Sequence, residues 1–276
     1  MARLSPGSWY YVIAVGVLVS LYATQVLLRF YNYDPYTLLE LFGRKSLHNE
    51  FRCEEPRYSI RIVSYSPLVI HLENFITSQE AEHLITLGTP LLQPSFVFAK
   101  KDGDLSGKRS RERSSSSAFL RGPDPVVDCV RQRASRFQGL SGPLSHMETL
   151  QMVHYGPSEH FALHKDWGRL SPAGHERSTT FFGFLKAECK ECGTHFPLLD
   201  LDLGNTGPEA REDWCRLVEC PSSKNGTVFR ALEGSAVFWR NLDDDGVGDE
   251  RVLHAGLPPE SGEKIGLNIW TRQGPG

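Results

Sequence analysis

The chain has 276 residues, of which 40% are hydrophobic and 23% are charged, so it can bury a sizeable core. Its net charge of −3 excludes the strongly basic composition that is typical of nucleic-acid-binding domains, and we expect no nucleic acid as a partner. With 17 prolines, 25 glycines and many short runs of Val, Phe and Ile, the composition favours a β-rich fold with many turns.

Residues 9–28 contain neither a charged residue nor a proline. A helix of that length would reach roughly 30 Å, the thickness of a bilayer's hydrocarbon core. Aromatic residues at its start and Arg29 after its end suit the two membrane interfaces. The sequence therefore predicts a tail at residues 1–8, a transmembrane signal anchor at 9–28 and a stem at 29–57. A cleaved secretory signal and a buried soluble helix are the alternatives, although cleaved signals have apolar cores of only about 7–15 residues.

The orientation of this anchor is indicated by two opposing signals. Basic residues lie mainly after the segment, which slightly favours a cytosolic C-terminal domain. Six cysteines and the glycosylation sequon Asn225-Gly226-Thr227 favour an oxidising lumen instead. We therefore expect a single-pass protein of the endoplasmic reticulum membrane with a luminal C-terminal domain.

The first predicted elements after the stem are a strand at residues 68–72 and a helix. Thr77 and Glu80 fit a capping box at the start of this helix, and Gly88 supplies its end. Residues 100–117 are polar and charged, which predicts a solvated loop or a flap over an active site.

A second helix is predicted to begin after Asp124, with Pro125 at its first position. From Glu148 onward the pattern changes to short strands, predicted at residues 150–155, 179–185, 227–232, 235–240 and 264–270. Helices followed by a run of strands indicate helices packed on one side of a β-sandwich or jelly roll.

His164-Lys165-Asp166 is a candidate metal-binding motif. In an extended segment, side chains two residues apart point the same way, so His164 and Asp166 could hold one ion. A second histidine would complete the two-histidine, one-carboxylate triad of non-haem Fe(II) oxygenases. The motif alone is weak, since His-x-Asp occurs often by chance.

The predicted C-terminal strand carries an unusual set of side chains on one face. Alternation places Lys264, Asn268 and Trp270 on that face, while the opposite face is uniformly apolar. A buried lysine is unfavourable unless it meets an anion, such as one carboxylate of a dicarboxylic acid. The alternative is an edge strand with a solvated Lys264.

Six motifs in this order resemble those of the prolyl 4-hydroxylase family, in particular its membrane-anchored, fungal-like members. The resemblance extends from about Tyr58 to Arg272, and the gaps of nine residues from Tyr155 to His164 and of ten from His254 to Lys264 agree with the family pattern. The motifs lie at residues 114–120, 150–155, 164–166, 193–197, 234–239 and 254–270.

The resemblance implies an α+β, mainly β fold at residues 58–276. Its core would be a double-stranded β-helix (jelly-roll, cupin-like) with supporting N-terminal helices. It also implies an Fe(II)- and 2-oxoglutarate-dependent dioxygenase that uses O₂, with ascorbate as a further cofactor, and whose iron ligands are His164, Asp166 and His254.

The same resemblance implies a site for the co-substrate. Lys264 would pair with the far carboxylate of 2-oxoglutarate, Tyr155 and Thr194 would hydrogen-bond near it, and Trp270 would line the same pocket. Two departures, Cys192 in place of a glycine and Pro259 in place of a small aliphatic residue, touch no implied ligand and put the substrate in doubt more than the catalysis.

The implied reaction is 4-hydroxylation of proline in a peptide or protein. The same chemistry on a free amino acid or small metabolite is one alternative, and a catalytically inactive, membrane-tethered binding module is another. For the cysteines we expect disulfides, while Cys189 and Cys192 with His195 and the pair Cys215 and Cys220 could instead form a structural zinc site, or all could remain thiols.

Overall fold

A computed structural model of the chain describes residues 51–273, apart from 102–103, 109–110, 141–143, 169–175, 205 and 221. The folded unit spans Arg52–Gly276. Its helices are α1 (Ser78–Gly88), α2 (Pro125–Phe137) and α3 (Pro208–Leu217). Its strands are β1 (Ser59–Tyr65), β2 (Leu68–Glu73), β3 (Gln93–Pro94), β4 (Val97–Lys101), β5 (Asp104–Lys108), β6 (Ser116–Phe119), β7 (Gln151–Tyr155), β8 (Phe161–His164), β9 (Arg177–Ala187), β10 (Thr194–Phe196), β11 (Thr227–Phe229), β12 (Ala236–Arg240), β13 (His254–Gly256) and β14 (Lys264–Arg272).

Two antiparallel sheets form the body of the domain. The large sheet has the order β1-β2-β12-β9-β14-β7-β6-β3, and the small sheet has the order β11-β10-β13-β8. Phe196 and Phe229 of the small sheet belong to the same buried cluster as Phe184 and Trp239 of the large sheet. The main core therefore lies between the sheets, as the predicted jelly roll requires.

Helices α1 and α2 begin where the sequence predicts. Thr77 accepts a hydrogen bond from the Glu80 backbone, and the Glu80 side chain accepts one from the Thr77 backbone, which completes the capping box. Asp124 caps α2 by accepting hydrogen bonds from the Val126 and Val127 backbone. The aromatic layer between these helices and the large sheet includes a parallel stack of Phe75 on Phe181 at 5.3 Å. Both faces of the sheet are consequently covered.

The predicted strands after Glu148 all form, with small changes at their ends. The prediction of a loop at residues 100–117 is wrong in part, because β4 and β5 pair as an antiparallel hairpin and β6 begins at Ser116. The polar composition concealed this hairpin, although the Asp102-Gly103 dipeptide favours a tight hairpin turn. Strand β1 and helix α3 were also not predicted, the latter because it buries only Leu217.

All six cysteines are paired, as Cys53–Cys129, Cys189–Cys192 and Cys215–Cys220. The disulfide expectation agrees with this pairing, and the zinc alternative does not. His195, the remaining member of that alternative site, instead contacts the backbone oxygen of Asn225 at 2.7 Å.

Part of the predicted stem is attached to the domain. Cys53 is bonded to Cys129 of α2, the Glu54 carbonyl accepts a hydrogen bond from Arg133, and Glu55 pairs with Arg136. Within the portion of the chain that is described, no helix is long and apolar enough to cross a membrane. The anchor predicted at residues 9–28 lies outside the described residues.

The buried side chain of His71 should make the stability of the fold depend on pH. Its ring is fully buried on β2, neither ring nitrogen has a hydrogen-bond partner among the described residues, and burial lowers its pKa to about 4. Below pH 6.5 the unfolded chain binds a proton that the folded protein does not, so stability falls with pH until about pH 4. We expect a loss of about 3 kcal/mol from this residue over that window.

Urea unfolding at pH 7 and pH 4.5 measures this contribution. His71→Phe keeps an aromatic ring against Phe229. Between these pH values its free energy of unfolding should fall by about 2–3 kcal/mol less than that of the wild type. His160→Gln, at a partly exposed histidine, serves as the control. Equal losses for His71→Phe and the wild type would show that the imidazole is not responsible.

Candidate active site

The structure brings His164, Asp166 and His254 together in the interior. His164 ends β8, His254 begins β13, and the two residues are direct partners across these strands. Asp166 follows β8, and one ligand atom from each of the three side chains lies within 4.8 Å of the others. Each histidine Nε2 is 3.9 Å from a carboxylate oxygen of Asp166. This spacing suits three side chains that share one metal ion.

Backbone carbonyls orient both imidazoles. His164 Nδ1 lies 2.9 Å from the Ala162 carbonyl oxygen, and His254 Nδ1 lies 3.0 Å from the Val252 carbonyl oxygen. A carbonyl can only accept, so each Nδ1 carries a proton, and Nε2 is the nitrogen that can bind a metal ion. Phe161 stacks on the His164 ring with centroids 3.5 Å apart. The rings are therefore fixed as Nε2 ligands.

The charge states of Asp166 and His164 are those that bind a cation. Burial tends to raise the pKa of Asp166, but the nearby histidines and Arg177 lower it to about 2. Burial, together with the neighbouring His254, lowers the pKa of His164 well below 6.5. At neutral pH the site thus presents an ionised carboxylate and a neutral imidazole, as metal coordination requires. Two imidazoles, one carboxylate and open positions are the donor set of non-haem Fe(II) oxygenases.

A cavity of about 250 Å³ adjoins the triad. Tyr155, Thr194 and Gly256 line it, and the hydroxyl of Thr194 is buried without a hydrogen-bond partner among the described residues. A side chain at position 256 would meet the Tyr155 hydroxyl at 3.0 Å, so glycine keeps this part of the cavity open. A buried hydroxyl without a partner is costly, and a polar ligand that reaches Thr194 would satisfy it.

Lys264 is fully buried on β14, between β7 and β9, which excludes the solvated edge strand. Its Nζ lies 4.5 Å from the centre of the Tyr155 ring. The amine does not line the cavity, because it donates hydrogen bonds to the carbonyls of Cys192, Gly193 and Leu257. Burial lowers the pKa of Lys264 to about 7.

Trp270 lines the cavity and also donates a hydrogen bond from Nε1 to Asp166 Oδ2 at 3.0 Å. Neither that contact nor the role of Thr180, whose hydroxyl donates to the same oxygen at 2.8 Å, was predicted from the sequence. The sequence places Thr180 in a predicted strand but predicts no role for its side chain. Its position beside Asp166 depends on the packing of β9 against the segment that follows β8.

Two arginines at the cavity were also missed. Arg113 lies over the Phe161 ring at 4.4 Å, and no carboxylate of the described residues pairs with it. Arg177 lies over the Trp270 ring at 3.5 Å and binds Glu148 through Nε and Nη2. Arg113 precedes one of the six motifs, which was the only available signal for it. The cavity therefore has two guanidinium groups along its wall.

Comparison with known proteins identifies relatives of this chain at about 30% sequence identity. Prolyl 4-hydroxylase 5 of Arabidopsis thaliana is 32% identical over 216 residues, which cover 76% of this chain and 70% of the relative. Prolyl 4-hydroxylase 1 of the same plant is 28% identical over 77% of this chain and 71% of its own length. No family model matches the chain.

Among solved structures, the viral collagen prolyl hydroxylase of Paramecium bursaria chlorella virus-1, in its 2-oxoglutarate complex, has a TM-score of 0.51 and 22% identity. The similarity covers 75% of this chain and 96% of that one, and it supports the jelly-roll fold. The relatives and the geometry of the triad lead to one conclusion. The chain belongs to the prolyl 4-hydroxylase family of Fe(II)- and 2-oxoglutarate-dependent dioxygenases.

Proposed function

We propose that this protein hydroxylates proline residues in a peptide or protein at C4, with Fe(II), 2-oxoglutarate and O₂, and with ascorbate as a supporting reductant. The buried triad carries the proposal, because two oriented Nε2 atoms and an ionised carboxylate converge beside a cavity. Fe(II) bound there with 2-oxoglutarate and O₂ would supply the oxidation, in which succinate and CO₂ leave and one oxygen atom enters the substrate.

The protein's own residues would hold and orient the reactants. His164, Asp166 and His254 would hold the iron, which would supply the oxidising chemistry when it is bound. The stacked Phe161 ring and the buried Trp270 indole exclude water from one side of the site. A substrate C–H bond must be held close to the iron, and the cavity wall provides that restraint.

The far carboxylate of 2-oxoglutarate would lie at the Thr194 end of the cavity. Thr194 and Tyr155 line the cavity there and would each offer it a hydroxyl donor, and Lys264 Nζ lies against the Tyr155 ring. To bind the carboxylate, Nζ exchanges at least one of its backbone carbonyl partners for a carboxylate oxygen.

Replacing Lys264 with alanine should raise the KM for 2-oxoglutarate by about 10- to 150-fold. The reason is that a hydrogen bond to a charged group contributes about 1.5–3 kcal/mol. The measurement is succinate release against 2-oxoglutarate concentration at saturating peptide. We expect a smaller effect on kcat, because Lys264 does not touch the iron ligands.

Lys186→Ala is a matched control on the neighbouring strand β9. Lys186 pairs with Glu188 and Glu263 at the surface, and its loss should leave the KM unchanged. An unchanged KM for Lys264→Ala would mean that Lys264 keeps its backbone partners during turnover. Arg113 would then be the cation that meets the carboxylate.

A peptide, rather than a free amino acid, is supported by two exposed aromatic rings that line the cavity. Phe96 and Phe119 line the cavity and are 45% and 42% exposed. Exposed aromatic rings offer flat surfaces to which proline-rich segments bind. A free proline would leave these two rings in contact with water.

The decisive assay measures succinate and hydroxyproline with proline-rich peptides and with free proline, in the presence of Fe(II), ascorbate and 2-oxoglutarate. Turnover that requires both a peptide and His164 would support the proposal. Succinate formed with free proline but with no peptide would point to the small-molecule reaction. Folded protein that binds Fe(II) but shows no turnover with either substrate would favour the binding module.

We further propose that residues 9–28 anchor the protein in the endoplasmic reticulum membrane with the catalytic domain in the lumen. The three disulfides and the exposed Asn225 are consistent with an oxidising compartment. Glycosidase treatment tests the orientation, since a luminal domain should shift in mobility and Asn225→Gln should not. A wild-type chain that resists glycosidase but is digested by protease outside intact microsomes would reverse the assignment.

A further inference from the structure

A chain of hydrogen bonds runs from a core indole to the metal-binding carboxylate. Trp239 Nε1 donates to Asn241 Oδ1 at 2.9 Å, and Asn241 Nδ2 donates to Thr180 Oγ1 at 2.9 Å. Thr180 Oγ1 then donates to Asp166 Oδ2 at 2.8 Å. Trp239, Asn241 and Thr180 are each at most 1% exposed, so no water competes for these contacts.

The direction of every hydrogen bond in this chain is fixed by chemistry. An indole N–H can only donate, so Asn241 must turn its oxygen to Trp239 and its nitrogen to Thr180. The Thr180 oxygen accepts from Asn241, and its single hydrogen is therefore directed to Asp166. Two buried residues thus ensure that Thr180 always offers a donor to the carboxylate.

The sheet holds the members of the chain in place. Thr180 on β9 pairs with Trp239 on β12 and with Trp270 on β14, so the three side chains form one row across adjacent strands. The Asn241 backbone is held on both sides, by the Ser178 carbonyl and by the Asp249 amide. The registers of three strands consequently fix the positions of the Thr180 and Trp270 donors that meet Asp166.

The two donors act on the same oxygen of Asp166. Oδ2 accepts from both Thr180 and Trp270 and lies 3.9 Å from His254 Nε2. Oδ1 lies 3.9 Å from His164 Nε2 and 3.9 Å from Arg177 Nη1, and it receives neither of those two hydrogen bonds. A carboxylate held in this way has one fixed rotamer and one oxygen available to a cation. The Trp239 ring also packs edge-on against His254 at 4.7 Å, so the same indole supports two of the three ligands.

We propose that Asn241 and Thr180 are positioning residues that act through Asp166, holding its carboxylate so that Oδ1 alone binds the metal. The proposal rests on the proposed function, since it takes the triad as the iron site. Outer hydrogen-bond partners of metal ligands commonly contribute 10- to 100-fold in metal affinity. Loss of the Thr180 hydroxyl or of the Asn241 amide should therefore weaken metal binding without removing a ligand.

The test is Mn(II) binding to the metal-free full-length chain, followed by electron paramagnetic resonance of the unbound ion, with no turnover involved. Thr180→Val and Asn241→Leu should each raise the Kd about 10- to 100-fold. Thr180→Ser, which restores the hydroxyl, should return the Kd to within about threefold of the wild type. In turnover, both weakened variants should release more succinate per hydroxyproline, with the KM for 2-oxoglutarate little changed.

Thr179→Val is the matched control, because Thr179 donates to Gln138 on the other face of the same strand. The proposal would be overturned if Thr179→Val weakened Mn(II) binding as much as Thr180→Val does. It would also be overturned if Thr180→Ser failed to restore Mn(II) binding. So would wild-type affinity in both Thr180→Val and Asn241→Leu, provided that Asp166→Ala abolishes binding. A wild-type chain that binds no Mn(II) would instead overturn the proposed function itself. If Thr180→Val does not fold, Asn241→Leu and Thr180→Ser decide the question.

Discussion

Replacing Asp166 with alanine is expected to lower kcat/KM for peptide hydroxylation by more than about 10³-fold and to abolish Mn(II) binding at micromolar concentrations. Asp166 is the only anionic member of the triad, so its loss removes the charge that offsets a divalent cation. The change also leaves the Thr180 hydroxyl and the Trp270 indole without their acceptor in a buried site. Both effects act against metal binding.

Asp166→Asn removes the negative charge of this side chain and nearly keeps its shape. The amide has nearly the same size, so the fold should remain intact while metal binding is still lost. Asp213→Asn, at an exposed carboxylate that pairs with Arg61, is the matched control and should retain full activity. Retention of more than a tenth of wild-type kcat/KM by either Asp166 variant would show that the carboxylate is not an iron ligand.

The triad could be predicted partly because His164 and Asp166 form a local motif, whereas His254 came only from the resemblance to the family. His164 and Asp166 do come together, although Asp166 lies beyond the end of β8 and not within the strand. The alternation along residues 264–270 follows from the period of a strand and is observed. Lys264 shows the limit of that reasoning. Alternation places it in the interior correctly, but only the packed structure shows that three backbone carbonyls surround its amine.

The contacts around the triad could not be predicted in the same way. Trp239, Thr180 and Trp270 lie far apart in the sequence and meet because β12, β9 and β14 are neighbours in the sheet. Strand order and register depend on the whole fold, and no local pattern specifies them. The disulfides present the same difficulty, since six cysteines allow 15 pairings and Cys53 lies in a segment that reads as a stem.

The second prediction with a large expected effect concerns the stability of the folded domain. Arg133 on α2 is fully buried and donates hydrogen bonds to both carboxylate oxygens of Glu80, at 2.9 and 2.6 Å. It also donates to the carbonyls of Phe75 and Glu54, so one guanidinium joins the incoming chain, α1 and α2. Arg133→Met would leave the Glu80 carboxylate buried and unpaired. We expect the free energy of unfolding to fall by about 3–5 kcal/mol, out of roughly 5–15 kcal/mol for a typical domain.

Urea unfolding of three variants distinguishes the buried pair from ordinary surface charge. Arg136→Met, on the same helix, removes only an ion pair with Glu55 near the surface and should cost less than about 1 kcal/mol. In Arg133→Met combined with Glu80→Gln, no charge remains unpaired, and the glutamine can still complete the capping box with Thr77. This double variant should recover most of the loss, because the penalty comes from the uncompensated carboxylate rather than from the absence of a favourable bond.

If the double variant is as unstable as Arg133→Met alone, the backbone hydrogen bonds to Phe75 and Glu54 are the main contribution. In that case Arg133 stabilises the domain by fastening its N-terminal segment to the layer of helices behind β9 and β12.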